Sequence, residues 1–203
     1  MYIVKPPEIA KHIYSTAKWN FSREEEKLYL TFDDGPDPEV TPQILTILKQ
    51  YNAKATFFCS GKRVEKYPAI YNEIIQQGHS VGNHTYNHLN GYHSRTADYL
   101  NDIMTAGILI HSNLFRPPYG KIKRKQYKLL KKDYKIIMWD VLSCDFDRNI
   151  LPPTCINNVI RNVRNGSIIV FHDSQQAKKN VLIAVPEVLK YYTEKHIEFS
   201  RII

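Results

Sequence analysis

The sequence contains few cysteines, and their number and spacing argue against two kinds of scaffold. Cys59, Cys144 and Cys155 are the three cysteines among 203 residues, and no two of them form a Cys-x-x-Cys motif. An odd number without that spacing argues against a disulfide framework and against a thiolate zinc cluster. The cysteines are therefore expected to be free thiols in a reducing compartment.

Long apolar runs are also missing from the sequence. No stretch approaches the roughly 20 apolar residues of a membrane-spanning helix, so the sequence predicts no transmembrane segment. Residues 1–10 include Lys5, Pro6 and Pro7 but no apolar core of a secretory signal peptide. A cytoplasmic location is therefore expected, with export by another route left open.

The charge is unbalanced, with a formal net charge of +8 and a composition that is otherwise ordinary for a globular domain. Such an excess invites a nucleic-acid partner. Many of the basic residues, however, fall between Lys121 and Lys135 and are interleaved with Tyr127, Leu129 and Leu130. This pattern is typical of the solvated face of one amphipathic helix, so no nucleic-acid partner is expected.

Predicted strands and helices alternate about seven times, which is the pattern of a parallel α/β sheet. The predicted strands lie near residues 27–30, 55–59, 79–82, 114–116, 134–139, 167–171 and 196–203, and an irregular stretch is expected up to Pro153. No glycine-rich phosphate loop follows the first strand, and the chain is short for an eightfold barrel. We therefore predict a distorted (β/α) barrel with about seven parallel strands.

The domain organisation follows from the same pattern. Residues 1–26 form an N-terminal prelude in which Trp19 and Phe21 are expected to pack on the core, and residues 27–203 form the catalytic domain. The chain length suits one sizeable core.

Side chains capable of chemistry follow the carboxyl ends of the predicted strands. Asp33 and Asp34 follow the first strand, and other such residues follow later strands: His84, His88, Arg116, Tyr119, Asp145 and His172. In a parallel α/β barrel these loops lie on one face, where active sites are built. Two adjacent carboxylates also raise each other's pKa unless a cation lies nearby, so a metal or an arginine is expected there.

His84 and His88 are four residues apart, a spacing that predicts two imidazoles on one side of a helical turn. With a carboxylate from another strand end they would form a two-histidine, one-carboxylate metal site that leaves positions open for water and substrate. These ligands suit zinc, cobalt or non-haem Fe(II), and the alternative is a structural coincidence.

Four motifs together resemble the polysaccharide deacetylase family, also called carbohydrate esterase family 4 or the NodB-homology domain. They occur in the family's order and rough spacing: Thr31-Phe32-Asp33-Asp34-Gly35, His84-Thr85-x-x-His88, Arg116-Pro117-Pro118-Tyr119-Gly120 and Val170-Phe171-His172. The resemblance implies a metal-dependent hydrolase that removes N-acetyl, or O-acetyl, groups from a sugar oligomer or polysaccharide.

The resemblance also implies a role for each matching residue. Asp34, His84 and His88 would hold a divalent metal, zinc being the first expectation and cobalt or another transition metal the alternatives. Asp33 would be the base that activates a metal-bound water, and His172 the general acid. Arg116 would pair with Asp33 and keep it ionised, and the Tyr119 N–H would stabilise the oxyanion.

The segment after the fifth predicted strand departs from the family pattern. Asp145 matches the acid that orients His172, but Leu142 stands where the family has an acid and Phe146 where it has a tryptophan. Phe146 and Val170 are expected to wall a pocket for the acetyl methyl group. Tyr119 and Trp139 are expected to contact the sugar.

Several rival interpretations remain open. Peptidoglycan, chitin oligomers, acetylated xylan and an acetylated precursor all stay open as substrates. A catalytically silent sugar-binding protein on the same fold is the main alternative, although Asp33 and His172 argue against it because binding needs neither a base nor an acid. A phosphotransferase is disfavoured because histidines are poor magnesium ligands. Cys144 is a further candidate ligand or nucleophile, but no matched base accompanies it.

Overall fold

A computed structural model describes residues 3–203, in which parallel strands alternate with helices. The strands are β1 Lys27–Asp33, β2 Ala55–Cys59, β3 Ser80–Asn83, β4 Leu114–Phe115, β5 Lys135–Ile136, β6 Val141–Leu142, β7 Ile168–His172 and β8 Glu198–Phe199. The helices are α1 Glu8–Ile13, α2 Thr41–Gln50, α3 Gly61–Lys66, α4 Pro68–Gln76, α5 Thr96–Leu109, α6 Arg124–Leu130, α7 Pro152–Ile160 and α8 Lys178–Thr193.

The strands form one curved parallel sheet in the order β5-β4-β3-β2-β1-β7-β6, with β8 pairing the start of β1. This arrangement confirms the predicted α/β class and the distorted barrel of about seven parallel strands. The paired path runs from β5 at one end to β6 at the other, with β1 near its centre. Because all these strands are parallel, their carboxyl ends lie at one edge.

Alternation along β1 separates an apolar face from a polar one. Leu28, Leu30 and Phe32 are fully buried in the cluster that packs the sheet against its helices. Burying side chains of this size stabilises the fold by roughly 1.5–3 kcal/mol each. The intervening Thr31 and Asp33 face the interior of the barrel, so β1 delivers a carboxylate to the carboxyl edge.

The segment between the predicted fifth strand and Pro153 differs from the expectation. The strand predicted at 134–139 is only two residues long, and just after it Ile137 forms a parallel bridge with Lys18 of the N-terminal segment. The stretch predicted to be irregular contains β6, whose Val141 and Leu142 pair with β7.

Residues of the N-terminal prelude contact the same sheet. Trp19 is buried in a cluster with Phe115 of β4, and Asn20 bridges Ser167 just before β7. Phe21 is partly buried and its ring stacks on Tyr29 at a centroid distance of 4.1 Å. The division into residues 1–26 and 27–203 stays a prediction, and residues 1 and 2 lie outside the described part.

Among residues 3–203, none of the helices has both the length and the apolar character needed to cross a membrane.

Candidate active site

Asp33 and Arg116 form a buried ion pair at the carboxyl edge of the sheet. Arg116 directly follows β4, is fully buried, and places Nη1 2.7 Å from Asp33 Oδ1. Its guanidinium also donates to Thr31 Oγ1 and to the Met138 carbonyl, and its Cζ lies 4.1 Å from the centre of the Phe58 ring. These contacts offset the cost of burying the charge and fix the direction of the Asp33 carboxylate.

Asp34, His84 and His88 bring three ligand atoms together, all within 4.8 Å of one another. Asp34 Oδ1 lies 3.0 Å from His88 Nε2 and 3.6 Å from His84 Nε2. Ligand atoms bound at about 2.0–2.2 Å to one ion stand roughly 3–3.6 Å apart, so this spacing fits a shared transition metal.

The protonation of His84 also suits a metal ligand. Burial lowers the pKa of His84 to about 4, so its imidazole is neutral at pH 7. Its Nδ1 lies 2.8 Å from the Arg116 carbonyl, which can only accept, so the proton is on Nδ1 and Nε2 keeps its lone pair. Although burial alone would raise the pKa of Asp34, the hydrogen bond from His88 and the nearby imidazoles hold it below its usual range.

The loop that carries the two histidines is not a helical turn, which corrects the expectation from their spacing. Residues 84–88 lie outside any helix, and both Thr85 and His88 have left-handed φ values, of 64° and 57°. Asp102 of α5 supplies the hydrogen bonds that a helix would otherwise provide. Its carboxylate accepts from the backbone N–H groups of Tyr86 and Asn87 at 2.7 and 3.0 Å.

His172 pairs with Asp145 on the other side of Asp33. Asp33 and His172 are direct partners in the β1–β7 ladder, so a carboxylate and an imidazole stand on neighbouring strands. His172 Nδ1 lies 2.8 Å from Asp145 Oδ1, and the His172 backbone N–H donates to Asp145 Oδ2. Burial alone lowers the pKa of His172, but the charge and hydrogen bond of Asp145, together with the charges of Asp34 and Asp33, outweigh it and raise the pKa to about 9.

Asp173 holds the turn after Asp34, and sequence reasoning gave it no role. It is fully buried, accepts from the Gly35 N–H at 3.0 Å and from the Thr41 hydroxyl at 2.6 Å. A Cβ at Gly35 would lie 1.9 Å from Asp173 Oδ2, so this approach requires glycine. Burial raises the pKa of Asp173 well above its usual value.

Of the expected substrate contacts, two border this cluster directly. Tyr119 is 61% exposed and its hydroxyl lies 3.1 Å from His88 Nδ1. Its φ is +60°, and its backbone N–H donates to no carbonyl among residues 3–203. The Phe146 ring packs edge-on against His172 at a centroid distance of 5.0 Å.

The other two residues that were expected to contact the substrate, Val170 and Trp139, lie deeper in the protein than Tyr119. Val170 lies two residues below His172 on β7 and is 1% exposed. Trp139 packs under Gly120, where an added Cβ would lie 2.4 Å from its ring. Trp139 therefore supports the turn that carries Tyr119, and its buried Nε1 has no hydrogen-bond partner within residues 3–203.

Cys144 is buried, and burial together with the neighbouring Asp145 raises the pKa of its thiol to about 11. It is therefore a protonated thiol at neutral pH, which is a poor nucleophile and a poor ligand.

Comparison with known proteins gives consistent matches. The family model described as "Polysaccharide deacetylase" matches residues 21–135. The chain is 34% identical to a peptidoglycan-N-acetylglucosamine deacetylase of Bacillus cereus, with 84% of each chain covered. It is also 34% identical to a chitooligosaccharide deacetylase of Azorhizobium caulinodans, covering 75% of this chain and 76% of that protein.

A crystal structure gives the same result in three dimensions. The Bc1960 peptidoglycan N-acetylglucosamine deacetylase, in complex with 4-naphthalen-1-yl-N-oxidanyl-benzamide, superposes with a TM-score of 0.86 at 33% identity. The superposition covers 92% of this chain and 91% of that one. The chain belongs to the polysaccharide deacetylase family.

Membership of this deacetylase family makes the chain a hydrolase of carbon–nitrogen bonds other than peptide bonds. The match to the family model includes Asp33, Asp34, His84, His88 and Arg116. Asp145 and His172 lie beyond it, and the structure shows that they pair.

Proposed function

We propose that the protein removes N-acetyl groups from glucosamine-type sugars of peptidoglycan or of a chitooligosaccharide. In this proposal Asp34, His84 and His88 hold a divalent metal, and zinc is the first expectation. One observation carries the proposal: this three-ligand cluster lies beside the buried Asp33–Arg116 pair and the His172–Asp145 pair. The names of the similar proteins support the substrate class.

The donor set fits the metal that the family requires. Two imidazole nitrogens and one carboxylate suit zinc, and three protein ligands leave positions open. When bound, such a metal polarises the acetyl carbonyl and lowers the pKa of water.

The chain's own residues then divide the proton transfers between them. Asp33, held by Arg116, takes the proton from the attacking water as general base. His172 has Nδ1 engaged by Asp145, so Nε2 is the nitrogen that donates a proton to the departing amine. The backbone N–H of Tyr119, which donates to no carbonyl among residues 3–203, stabilises negative charge on the acetyl oxygen, a contribution typically worth roughly 10²–10³ in turnover.

The silent sugar-binding alternative fits the structure less well. A binding protein gains nothing from burying the Arg116 charge beside Asp33 or from raising the pKa of His172 to about 9. Both features have a cost, and both are useful in acid–base catalysis.

Acetate release tests the proposal directly. Chelated enzyme is incubated with N-acetylglucosamine oligomers, peptidoglycan fragments and acetylated xylan, with and without added zinc or cobalt. We expect metal-dependent release from the first two and little from xylan. Binding of these glycans without acetate release under any metal would support the silent alternative instead.

A further inference from the structure

A cleft of about 610 Å³ lies next to the metal-ligand cluster and shares Asp34 and His88 with it. Its other walls are α3, the 84–88 loop, and the loops that follow β6 and β7. Four cationic side chains line it: Lys62, Arg63, Lys66 and Arg148. Among the described residues that line the cleft, Asp34 is the only carboxylate, so the cleft has a marked excess of positive charge.

Most of this charge has no partner of opposite sign. Within residues 3–203, Lys62, Lys66 and Arg148 form no salt bridge. Arg63 pairs with the buried Asp37 at 3.1 Å, and its side chain remains 32% exposed. Like charges around one concave surface repel each other and create a positive electrostatic potential there. A bound anion lowers this repulsion.

Backbone and side-chain hydrogen bonds tie the walls of the cleft to the active site. The N–H of Lys62 donates to the Tyr86 carbonyl at 3.1 Å, which fixes the start of α3 to the loop carrying the histidines. On the opposite wall, Gln176 Nε2 donates to the Phe146 carbonyl at 2.7 Å and joins the loops after β7 and β6. Hydrogen bonds thus hold in place the segments that carry the cations. Less conformational entropy is therefore lost when an anion binds.

We propose that this cleft is an anion-binding subsite, which takes a carboxylate carried by the glycan close to the acetyl group that is removed. The inference rests on the proposed deacetylase function and narrows its substrate to an acidic acetylated glycan. The carboxylate belongs either to the sugar itself or to a short peptide attached to it. The carboxylate is bound by Lys62, Lys66 and Arg148, and not by the metal.

The kinetic test compares three substrates with the same number of sugars: a neutral N-acetylglucosamine oligomer, a peptide-free peptidoglycan oligosaccharide with sugar carboxylates, and the same oligosaccharide with its peptide. In the Lys62→Gln/Lys66→Gln variant we expect the KM for the acidic substrates to rise about 10-fold, as two exposed charge interactions allow. The kcat, and the KM for the neutral oligomer, should stay within about twofold of the values of the unchanged protein. Added salt should weaken the binding of the acidic substrates alone.

The Lys125→Gln/Lys128→Gln variant is the matched control, because it removes two exposed lysines of α6 that do not line the cleft. It should leave the KM of every substrate unchanged. A preference for the peptide-free acidic substrate assigns the carboxylate to the sugar. A preference seen only with the peptide assigns it to the peptide.

Calorimetric binding to metal-free protein separates this inference from the proposed function. The acidic oligosaccharides should bind more tightly than the neutral oligomer, and the Lys62→Gln/Lys66→Gln variant should lose that difference. Equal affinities, or a preference that appears only with metal and survives in the variant, would overturn the subsite. Absence of acetate release with the binding difference intact would count against the deacetylase function alone.

Discussion

The pKa of His172 depends strongly on its neighbour Asp145. Burial lowers this pKa, whereas the charge and hydrogen bond of Asp145, together with the charges of Asp34 and Asp33, raise it to about 9. Since the folded state favours the cation, this pairing contributes stability that is complete below the unfolded value of about 6.5. The contribution is lost as the pH rises through about 9.

Asp145→Asn should lower the pKa of His172. With the Asp145 charge gone, the largest effect that opposes burial is removed, and we expect the pKa of His172 to fall clearly below about 9 in the metal-free protein. A ¹H–¹⁵N NMR titration of the imidazoles measures this directly, and the buried His79, remote from the site, should titrate as before. A His172 pKa that stays near 9 would mean that Asp145 does not control it.

At the scale of elements, the 84–88 loop shows what sequence spacing could and could not predict. The spacing and the motif correctly placed His84 and His88 beside Asp34, because the loops at the carboxyl ends of parallel strands converge. The helical turn was wrong, because hydrogen bonds to Asp102 replace those of a helix. The available signal was an acid, Asp102, directly beside the apolar Ile103, both of which are buried in α5.

Asp102→Ala should weaken the metal site without touching a ligand. Loss of the hydrogen bonds to the Tyr86 and Asn87 N–H groups frees the loop, and changes of this kind typically cost about 10- to 100-fold in metal affinity. Competitive zinc titration measures the effect. Asp98→Ala, on the exposed side of α5, is the control, and the protein that carries it should keep its affinity for zinc. Equal affinities in the two variants would contradict the role of Asp102.

The contact that holds the turn after Asp34 was missed for a related reason. Asp173 lies 138 residues from Gly35, and a hydrogen bond across that separation leaves no local pattern in the sequence. Likewise, β6 is two residues long and has no periodicity of its own, so it is defined only by its pairing with β7.

At the scale of the whole molecule, the alternation of strands and helices was enough to predict the barrel and the shared edge where the motifs meet. The depth of Val170 and the support role of Trp139 depend on packing and could not be read from their positions in the chain. The cytoplasmic location stays a prediction.

Metal binding should stabilise the whole fold, because its ligands come from β1 and β3 ends that only the folded state brings together. A ligand at 100 times its Kd contributes about 2.7 kcal/mol. For a chain of this length that corresponds to a rise in Tm of roughly 5–10 °C. Scanning calorimetry of chelated protein with added zinc should show this rise, and His84→Ala should lack it. The same rise in His84→Ala would place the metal elsewhere.

The central claim is that Asp33 acts as the base beside a metal held by Asp34, His84 and His88. The most direct measurement is acetate release together with metal content for Asp33→Asn, which keeps the shape of the side chain. We expect turnover to fall by roughly 10²–10⁴, the range that general base catalysis supplies, with one metal still bound per chain. Normal turnover in this variant would contradict the claim, as would a loss of activity that merely follows a loss of metal.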